Sequence, residues 1–280
     1  MREINVSEIT ALIAEMAIEA NHYLTSDVCA RIEECYNNEP WNVAKDILNK
    51  IRENIDISQE GVFPLCQDTG MACIFLEIGQ DVHFVGGSLE EAINQGVREG
   101  YDKGYLRKSV VKDPVRRGNT GDNTPAHITY DIVAGNNVKI TFAPKGFGSE
   151  NMSQIKMFPP AAGAEGIKDF VVQVVESAGA NPCPPIVVGV GIGGTFDKAA
   201  LLAKKALLIP FDKANEDEYY KEMEEELLNR INNLGIGPQG MGGRTTALAV
   251  KIKTFPTHIA GMPVAVNINC HVSRHIERII

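Results

Sequence analysis

The sequence predicts a mixed α/β protein in which a helical N-terminal region packs on a body of mixed β-sheet with flanking helices. Apolar residues recur at intervals of three and four from Val6 to about Ile55, which is the period of an amphipathic helix. Beyond Pro64, short apolar runs typical of strands alternate with further helical segments. We therefore expect a helical region at 1–60 and a mixed α/β body at 61–280, folded as one compact unit.

The individual elements follow from the period of the apolar residues and from capping and turn patterns. Ser88 to Glu91 form a capping box that opens a helix to about Gly100. The turn residues Ala134–Asn137 between two predicted strands, His127–Val133 and Val138–Phe142, predict a hairpin. The other predicted elements are strand Ala72–Ile78, helix Ala164–Ser177, strand Ile186–Val190, helices Thr195–Leu207 and Glu216–Asn233, and strands Thr246–Ile252 and Val264–Ile268.

Charge and hydropathy limit the partners of this chain. The 280 residues carry a formal charge of −9, which disfavours nucleic acid and anionic membrane surfaces. The longest apolar stretches fall far short of the roughly 20 residues that span a membrane. Glu3 and Glu8 stand where a signal peptide needs a basic region. We therefore expect a cytoplasmic protein in a reducing compartment, with a small molecule or a protein as its partner.

Cysteines form two groups. Six are too few for a secreted disulfide scaffold. Cys29 and Cys35 lie in a predicted amphipathic helix and Cys73 lies in an apolar strand, so we interpret all three as small core residues. The other three, at element boundaries beside polar residues or prolines, are candidate metal ligands: Cys66, Cys183 and Cys270.

Three convergent thiolates would favour a soft metal, either zinc or an iron–sulfur cluster. The prolines on both sides of Cys183 restrict the backbone and aim its side chain in one direction. Three ligands leave one metal position open, as in catalytic sites. The spacing alone leaves the matter open, because no Cys-x-x-Cys pair occurs.

One segment of this acidic chain is cationic. Between Tyr105 and Gly121, five basic residues stand against the single acidic residue Asp113. Arginine suits a carboxylate because it donates two parallel hydrogen bonds. An anionic substrate is therefore one interpretation, and an ordinary solvated surface is the other. The five are Arg107, Lys108, Lys112, Arg116 and Arg117.

Two further patterns offer competing interpretations. Gly189 to Gly194 match the GxGxxG dinucleotide fingerprint between a strand and a helix, which would make the protein a nicotinamide-dependent oxidoreductase with Asp212 as the ribose acid. His271 and His275 are four residues apart, as zinc ligands on a helix would be, but the glutamate of HExxH is absent. We interpret these two histidines as solvated.

Six motifs, taken together and in order, resemble those of one family. They are CQDTG at 66–70, GNTGDNTP at 118–125, PKGFGSEN at 144–151, NPCPPIVVGVGIGG at 181–194, LGIGPQGMGG at 234–243 and NCH at 269–271. The chain resembles the alpha subunit, or N-terminal half, of the iron–sulfur-dependent class I fumarate hydratases over nearly its whole length. The alpha subunit of L-tartrate dehydratase is a close relative, and PKGFGSEN favours the fumarases.

The resemblance implies a cofactor, a partner and a reaction. It implies that the three candidate cysteines hold a [4Fe–4S] cluster with one open iron, and that the chain hydrates fumarate to L-malate reversibly. A beta subunit would supply the missing substrate arginines and the base, in an α2β2 enzyme or on a homodimer of alpha chains. Asp68 is the implied proton donor, and the implied substrate-binding residues are Gln67, Asp68, Arg107, Gly148 and His258.

Two alternatives to fumarate hydration stay open beside the oxidoreductase. L-tartrate dehydratase resembles this chain in CQDTG at 66–70 and in the proline-flanked Cys183. A non-enzymatic iron–sulfur or zinc sensor would use the cysteines but would not require Arg107 or Asp68.

Overall fold

The computed structural model describes all residues from 1 to 280 and divides them into two compact units. Unit 1 comprises 1–25, 55–147 and 274–280, and unit 2 comprises 26–54 and 148–273. The chain is mixed α/β, as predicted. None of its helices is both long and apolar enough to cross a membrane.

Three successive helices follow the first strand, and helices and strands are interspersed through the rest of the chain. The helices are α1 (Val6–His22), α2 (Ser26–Asn38), α3 (Asn42–Gln59), α4 (Leu89–Lys103), α5 (Phe147–Glu150), α6 (Gly163–Ala178), α7 (Phe196–Ala206) and α8 (Glu218–Asn232). The strands are β1 (Arg2–Asn5), β2 (Met71–Gly79), β3 (Val82–Val85), β4 (His127–Val133), β5 (Val138–Lys145), β6 (Gln154–Phe158), β7 (Ile186–Gly193), β8 (Ala247–Phe255), β9 (Met262–Asn269) and β10 (Ile276–Ile279).

Unit 1 contains a four-stranded sheet in the order β10-β5-β2-β4 and a parallel β1–β3 pair. Helices α1 and α4 pack closely on each other, and two glycines of α4 allow this approach. A Cβ on Gly96 would lie 2.6 Å from the carbonyl oxygen of Thr10, and one on Gly100 would lie 2.7 Å from that of Ala14. Side chains from α1, α4, β2 and β5 fill the core, whose burial is the main favourable contribution to folding.

Unit 2 contains a second four-stranded sheet in the order β6-β9-β7-β8. Strand β7 is parallel to β8 and antiparallel to β9. Helices α6 and α8 cover one face, where Val171, Leu227 and Val188 are fully buried. Because alternate residues of a strand point to opposite faces, Ala265 of β9 lies on the other face, where it packs against Ala199 and Ala203 of α7.

The predicted hairpin between His127–Val133 and Val138–Phe142 is wrong. Both strands form, as β4 and β5, but β2 lies between them, parallel to β4 and antiparallel to β5. The intervening turn instead meets the end of β2, where the amide of Gly79 donates to the carbonyl of Asn137 at 2.9 Å. Turn residues alone favoured the hairpin, whereas the apolar strand β2 gains most by pairing on both edges.

The N-terminal helices do not follow the expected boundary at residue 60. The predicted helical region forms as α1, α2 and α3, but α1 belongs to unit 1 and α2 to unit 2. Helix α3 contributes its residues up to Asn54 to unit 2 and the rest to unit 1. The spacing of apolar residues along the chain predicts the helices well. The unit to which each helix belongs depends instead on which sheet that helix covers.

Candidate functional site

The loop Cys66–Gly70, here the cysteine loop, joins α3 to β2 in unit 1. Its backbone turns back on its own side chains. The amide of Asp68 donates to the Cys66 Sγ at 3.4 Å, and the amide of Gly70 donates to the Asp68 Oδ1 at 3.0 Å. These two bonds fix the conformation of the loop around Cys66.

Asp68 is held at both carboxylate oxygens. Its Oδ1 accepts the amide of Gly70 and its Oδ2 accepts the amide of Phe147 at 3.0 Å. Gly146 leaves room for this arrangement, because an added Cβ there would lie 3.1 Å from the Asp68 Oδ2. The PKGFGSEN motif thus fixes the orientation of the Asp68 side chain.

The cationic segment is attached to the cysteine loop through its main chain. The hydroxyl of Thr69 donates to the Arg107 carbonyl at 3.1 Å and accepts the Arg107 amide at 2.9 Å. Buried Asn123 donates to the Gly70 carbonyl at 3.2 Å and accepts the Ser109 amide at 2.7 Å. These bonds fix the Arg107 backbone beside the loop, while the side chain of Arg107 is exposed.

Two of the five cations in this segment are neutralised. Lys108 forms an ion pair with Asp102 at 2.7 Å, and Arg116 forms one with Asp113 at 2.9 Å. Arg107 takes part in no ion pair, so its guanidinium is available to a carboxylate from outside the chain.

Unit 2 brings two of the predicted metal ligands into one hydrogen-bonded network. Cys183 lies between α6 and β7, and Cys270 follows β9 directly. The His271 amide donates to the Cys183 carbonyl at 3.4 Å, and the His271 Nδ1 lies 3.0 Å from the same oxygen. The backbone amide and side-chain Nε2 of Gln239 both donate to the Pro184 carbonyl at 2.7 Å. This network joins the cysteine-bearing segments.

Backbone strain marks Cys183. Its φ is +55°, a conformation that L-residues other than glycine seldom adopt. Such residues cluster at functional sites, where the surrounding structure imposes the conformation. Pro182 precedes Cys183, and a cis peptide bond joins Pro184 to Pro185. The thiol itself is exposed.

The three predicted ligands are divided between the units, with Cys66 in unit 1 and Cys183 and Cys270 in unit 2. Neither unit by itself contains three or more His, Cys, Asp or Glu side chains placed to hold a metal ion. None of the six cysteines forms a disulfide.

The other three cysteines differ from these in their surroundings. Cys73 is buried in β2, in agreement with its interpretation as a core residue. Cys29 and Cys35 are half-buried in α2. Burial raises the pKa of Cys35 to about 11, which keeps it a thiol at neutral pH.

The remaining predicted substrate residues are exposed. Gln67 is next to Asp68 in the cysteine loop, and Gly148 lies in α5. His258 lies in the loop between β8 and β9, where its Nδ1 accepts the amide of Ala260 at 3.2 Å. A neutral imidazole that accepts at Nδ1 carries its hydrogen on Nε2, so that nitrogen is left to donate.

Several residues of these networks were not predicted from the sequence. Tyr101, Arg274, Gln239 and His271 all bond to segments that carry Cys66 or Cys183. The segment 271–275 is not helical, so the two histidines do not share a helical face, and His271 is half-buried rather than solvated. Gln239 stands in the glycine-rich motif at 234–243 and His271 stands in the NCH motif at 269–271, and these motifs were the available signals. Nothing in the sequence marked Tyr101 or Arg274.

The glycines of the GxGxxG match are explained by packing. A Cβ on Gly189 would lie 2.2 Å from the Ala203 carbonyl oxygen, and one on Gly191 would lie 2.1 Å from that of Ala199. Both carbonyls belong to α7, so the glycines let this helix approach β7. The sheet is mixed around β7 and lacks the parallel βαβαβ half of a dinucleotide fold. The oxidoreductase alternative gains no support.

Comparison with known proteins places this architecture in a family. The model of the family described as Fumarate hydratase (Fumerase) matches residues 10–279. A Methanocaldococcus jannaschii protein provisionally named L(+)-tartrate dehydratase subunit alpha is 42% identical over 278 residues, covering 97% of this chain and 98% of that protein. The L(+)-tartrate dehydratase subunit alpha of Escherichia coli strain UTI89 is 31% identical over 273 residues, covering 96% and 89%. The chain therefore belongs to the fumarate hydratase (fumerase) family.

Proposed function

We propose that this chain is the alpha subunit of a hydro-lyase that removes water from a hydroxy-dicarboxylate, with L(+)-tartrate as its preferred substrate. The observation that carries the proposal is the anchored Asp68 carboxylate beside Cys66. Arg107 fits a dicarboxylate because its main chain is fixed to the same loop and its side chain is unpaired. The names of the two relatives favour tartrate.

Three cysteines would hold a [4Fe–4S] cluster in this proposal: Cys66, Cys183 and Cys270. Two observations support the fit. The Cys66 sulfur already accepts an amide hydrogen bond, and the backbone holds Cys183 in a conformation rare for a residue with a Cβ. Three thiolates form a donor set that suits iron–sulfur clusters. When bound, a cluster with an open iron supplies a Lewis acid.

The residues of this chain would bind the substrate and handle one proton. Elimination of water breaks a C–H and a C–O bond and forms a carbon–carbon double bond. Asp68 would hold the proton that the departing hydroxyl takes, because two amides orient its carboxylate. Arg107 would bind a substrate carboxylate through two hydrogen bonds. Gln67, Gly148 and the His258 Nε2 would line the pocket and orient the substrate.

Fumarate hydration is the second candidate reaction. The matching family is described as Fumarate hydratase, and PKGFGSEN resembles the fumarases. The two reactions differ in their product. Dehydration of a dihydroxy-diacid gives an enol that becomes a keto acid, whereas dehydration of malate gives fumarate. Nuclear magnetic resonance of the product mixture therefore distinguishes them.

A beta subunit would complete the enzyme. The relatives are named as alpha subunits, which supports a partner chain. We propose either an α2β2 assembly or a homodimer of alpha chains, and the native masses of the alpha chain alone and of the co-expressed complex distinguish these from a monomer and a single αβ pair.

The test is anaerobic purification of the chain alone and with a co-expressed beta chain, followed by iron and sulfide analysis and assays with L(+)-tartrate and L-malate. We expect iron and sulfide, activity only in the complex, and a higher kcat/KM for L(+)-tartrate. Full activity of the alpha chain alone would contradict the need for a partner. A colourless protein with one zinc per chain would contradict the cluster. Iron and sulfide in a complex that turns over neither substrate would favour the sensor.

A further inference from the structure

Arg274 is a buried cation without an anionic partner. Only 4% of its surface is exposed, and it lies in unit 1 just before β10. Its Nη2 donates to the main-chain carbonyl of Asp68, while its Nε and Nη1 are buried and have no hydrogen-bond partner. It forms no ion pair with a carboxylate, and the oxygens of Asp68 already accept the amides of Gly70 and Phe147.

Stability alone does not account for such a residue. Burial of a charge costs several kcal/mol unless a partner compensates for it, and apolar replacements of buried ionic groups are often neutral or stabilising. The site is also closed to substrate, because the Nε and Nη1 atoms have almost no solvent-accessible surface. The contribution of Arg274 therefore lies in its effect on the cysteine loop.

Three successive carbonyls of the cysteine loop are held by two buried side chains. Arg274 binds the carbonyl of Asp68, and the hydroxyl of Tyr101 lies 2.7 Å from that of Thr69 and 3.0 Å from that of Gly70. Burial raises the pKa of Tyr101, so its hydroxyl keeps its hydrogen and donates it. Tyr101 is fully buried in α4 and is therefore a rigid support.

These contacts determine where the amides of the loop point. In a planar trans peptide, the carbonyl of one residue and the amide of the next point in opposite directions. Carbonyls held by Arg274 and Tyr101 therefore direct the amides of Thr69 and Gly70 to the opposite side, where the Gly70 amide meets the Asp68 Oδ1 at 3.0 Å. That side carries the reactive carboxylate.

We propose that Arg274 is a positioning residue for Asp68 and Cys66. It orients the peptides of the cysteine loop and places a positive charge beside the loop that carries the Asp68 carboxylate and the Cys66 sulfur. This inference rests on the proposed function for its catalytic consequence, but not for its effect on the loop, which belongs to the chain itself.

The experiment compares Arg274→Met and Arg274→Lys with Arg278→Gln as the control. Arg278 lies four residues further on, in β10, and forms a partly exposed ion pair with Glu19 at 2.6 Å. Hydrogen–deuterium exchange of the metal-free full chain reports on the loop without any cluster. We expect Arg274→Met to speed amide exchange at Thr69 and Gly70 by about tenfold or more, without lowering the melting temperature. The control leaves this exchange unchanged.

Activity of the αβ complex gives the second measurement. We expect Arg274→Met to lower kcat about tenfold with KM within about twofold, because the substrate does not reach this guanidinium. Arg274→Lys, which keeps the charge and a donor, recovers part of kcat. Unchanged exchange in both Arg274 variants would overturn the inference, as would a lowered melting temperature with unchanged exchange. A failure of the proposed function would be observed separately, because the wild-type protein would then lack iron and sulfide or lack activity.

Discussion

The Asp68 Oδ2 accepts the amide of Phe147 at 3.0 Å, 79 residues along the chain. This bond joins the start of α5 to the cysteine loop and aims the carboxylate that we propose as proton donor. Because a second amide, from Gly70, occupies the other oxygen, the carboxylate has little freedom to rotate. The orientation of this carboxylate is therefore set by two backbone amides.

Gly146→Ala tests this geometry. The added Cβ would lie 3.1 Å from the Asp68 Oδ2, so the carboxylate must shift by a few tenths of an ångström. We expect kcat of the αβ complex to fall about tenfold, because small misplacements of a reacting group are costly. Iron content stays unchanged. Gly118→Ala is the control, since a Cβ there meets nothing within 4 Å. Equal activity of both variants would argue against the role of Asp68.

Arg107→Lys tests the substrate carboxylate contact. The main chain of Arg107 is held by Thr69, so the exchange changes only the exposed side chain. Lysine keeps the charge but loses the two parallel hydrogen bonds, and we expect KM for the dicarboxylate to rise about tenfold or more. Arg116→Lys, in the same segment and paired with Asp113, leaves KM unchanged. An equal rise of KM in both variants would contradict a specific contact between Arg107 and a substrate carboxylate.

Cys183→Ser and Cys29→Ser test the division of the cysteines. We expect Cys183→Ser to abolish binding of iron and sulfide, because it removes a thiolate ligand. Cys29→Ser, in half-buried α2, leaves both contents at the wild-type level. Iron and sulfide analysis after anaerobic purification is the measurement, and the reverse pattern would refute the division.

Glu39 makes the stability of unit 2 depend on pH. Burial alone would raise its pKa, but hydrogen bonds from the Thr245 hydroxyl and from the amides of Arg244, Thr245 and Trp41 hold it below the ordinary 4.5. A lowered carboxyl pKa stabilises the folded state above that ordinary value, and the stabilisation is lost as pH falls through the folded-state pKa.

We therefore expect Glu39→Gln to lower the free energy of unfolding at neutral pH by about 2 kcal/mol, with a smaller difference in acid. Urea unfolding of the metal-free chain at a series of pH values is the measurement. Glu60→Gln, on an exposed turn, serves as the control. A difference between Glu39→Gln and wild type that stays constant down to acid pH would contradict the assignment.

Gly191→Ala tests the packing explanation of the GxGxxG pattern. Its Cβ would lie 2.1 Å from the Ala199 carbonyl oxygen and 2.5 Å from the Ala203 amide nitrogen, both in the backbone of α7. We expect a loss of about 3 kcal/mol or more, since overpacking forces the backbone to move. Gly261→Ala, with nothing within 4 Å, leaves the melting temperature unchanged. Equal stability of both variants would contradict the packing explanation and favour a ligand-binding role for these glycines.

Long periodic segments could be predicted from the sequence and short strands could not. Helices α4, α6 and α8 and strands β2 and β9 were predicted near their observed bounds, because each carries a buried face of sufficient length. The strands β1, β3 and β10 are only four residues long, and pairing with a partner far along the chain defines them. The false hairpin has the same origin, because the sequence does not show that β2 lies between β4 and β5.

The candidate site likewise contains residues that the sequence marks and residues that only the fold reveals. Its motif residues, such as Cys66, Asp68 and Cys183, stand beside glycines and prolines that are visible in the sequence. The buried residues that support the cysteine loop have no such signal in the sequence. Tyr101 looks like one apolar position of an amphipathic helix, and Arg274 looks like a surface cation of the chain end, until the fold buries both of them against the cysteine loop.

By itself, the sequence determined the family, the cysteines worth testing and the mixed α/β class, because motifs and apolar periods are local properties of the chain. Only the tertiary structure decided how β4 and β5 are separated, why Gly191 is a glycine, and which buried groups orient Asp68. These depend on contacts between residues far apart in the chain, such as Asp68 with Phe147 and with Arg274. Burial and hydrogen bonding at such contacts are set by the folded backbone, and no local pattern encodes them.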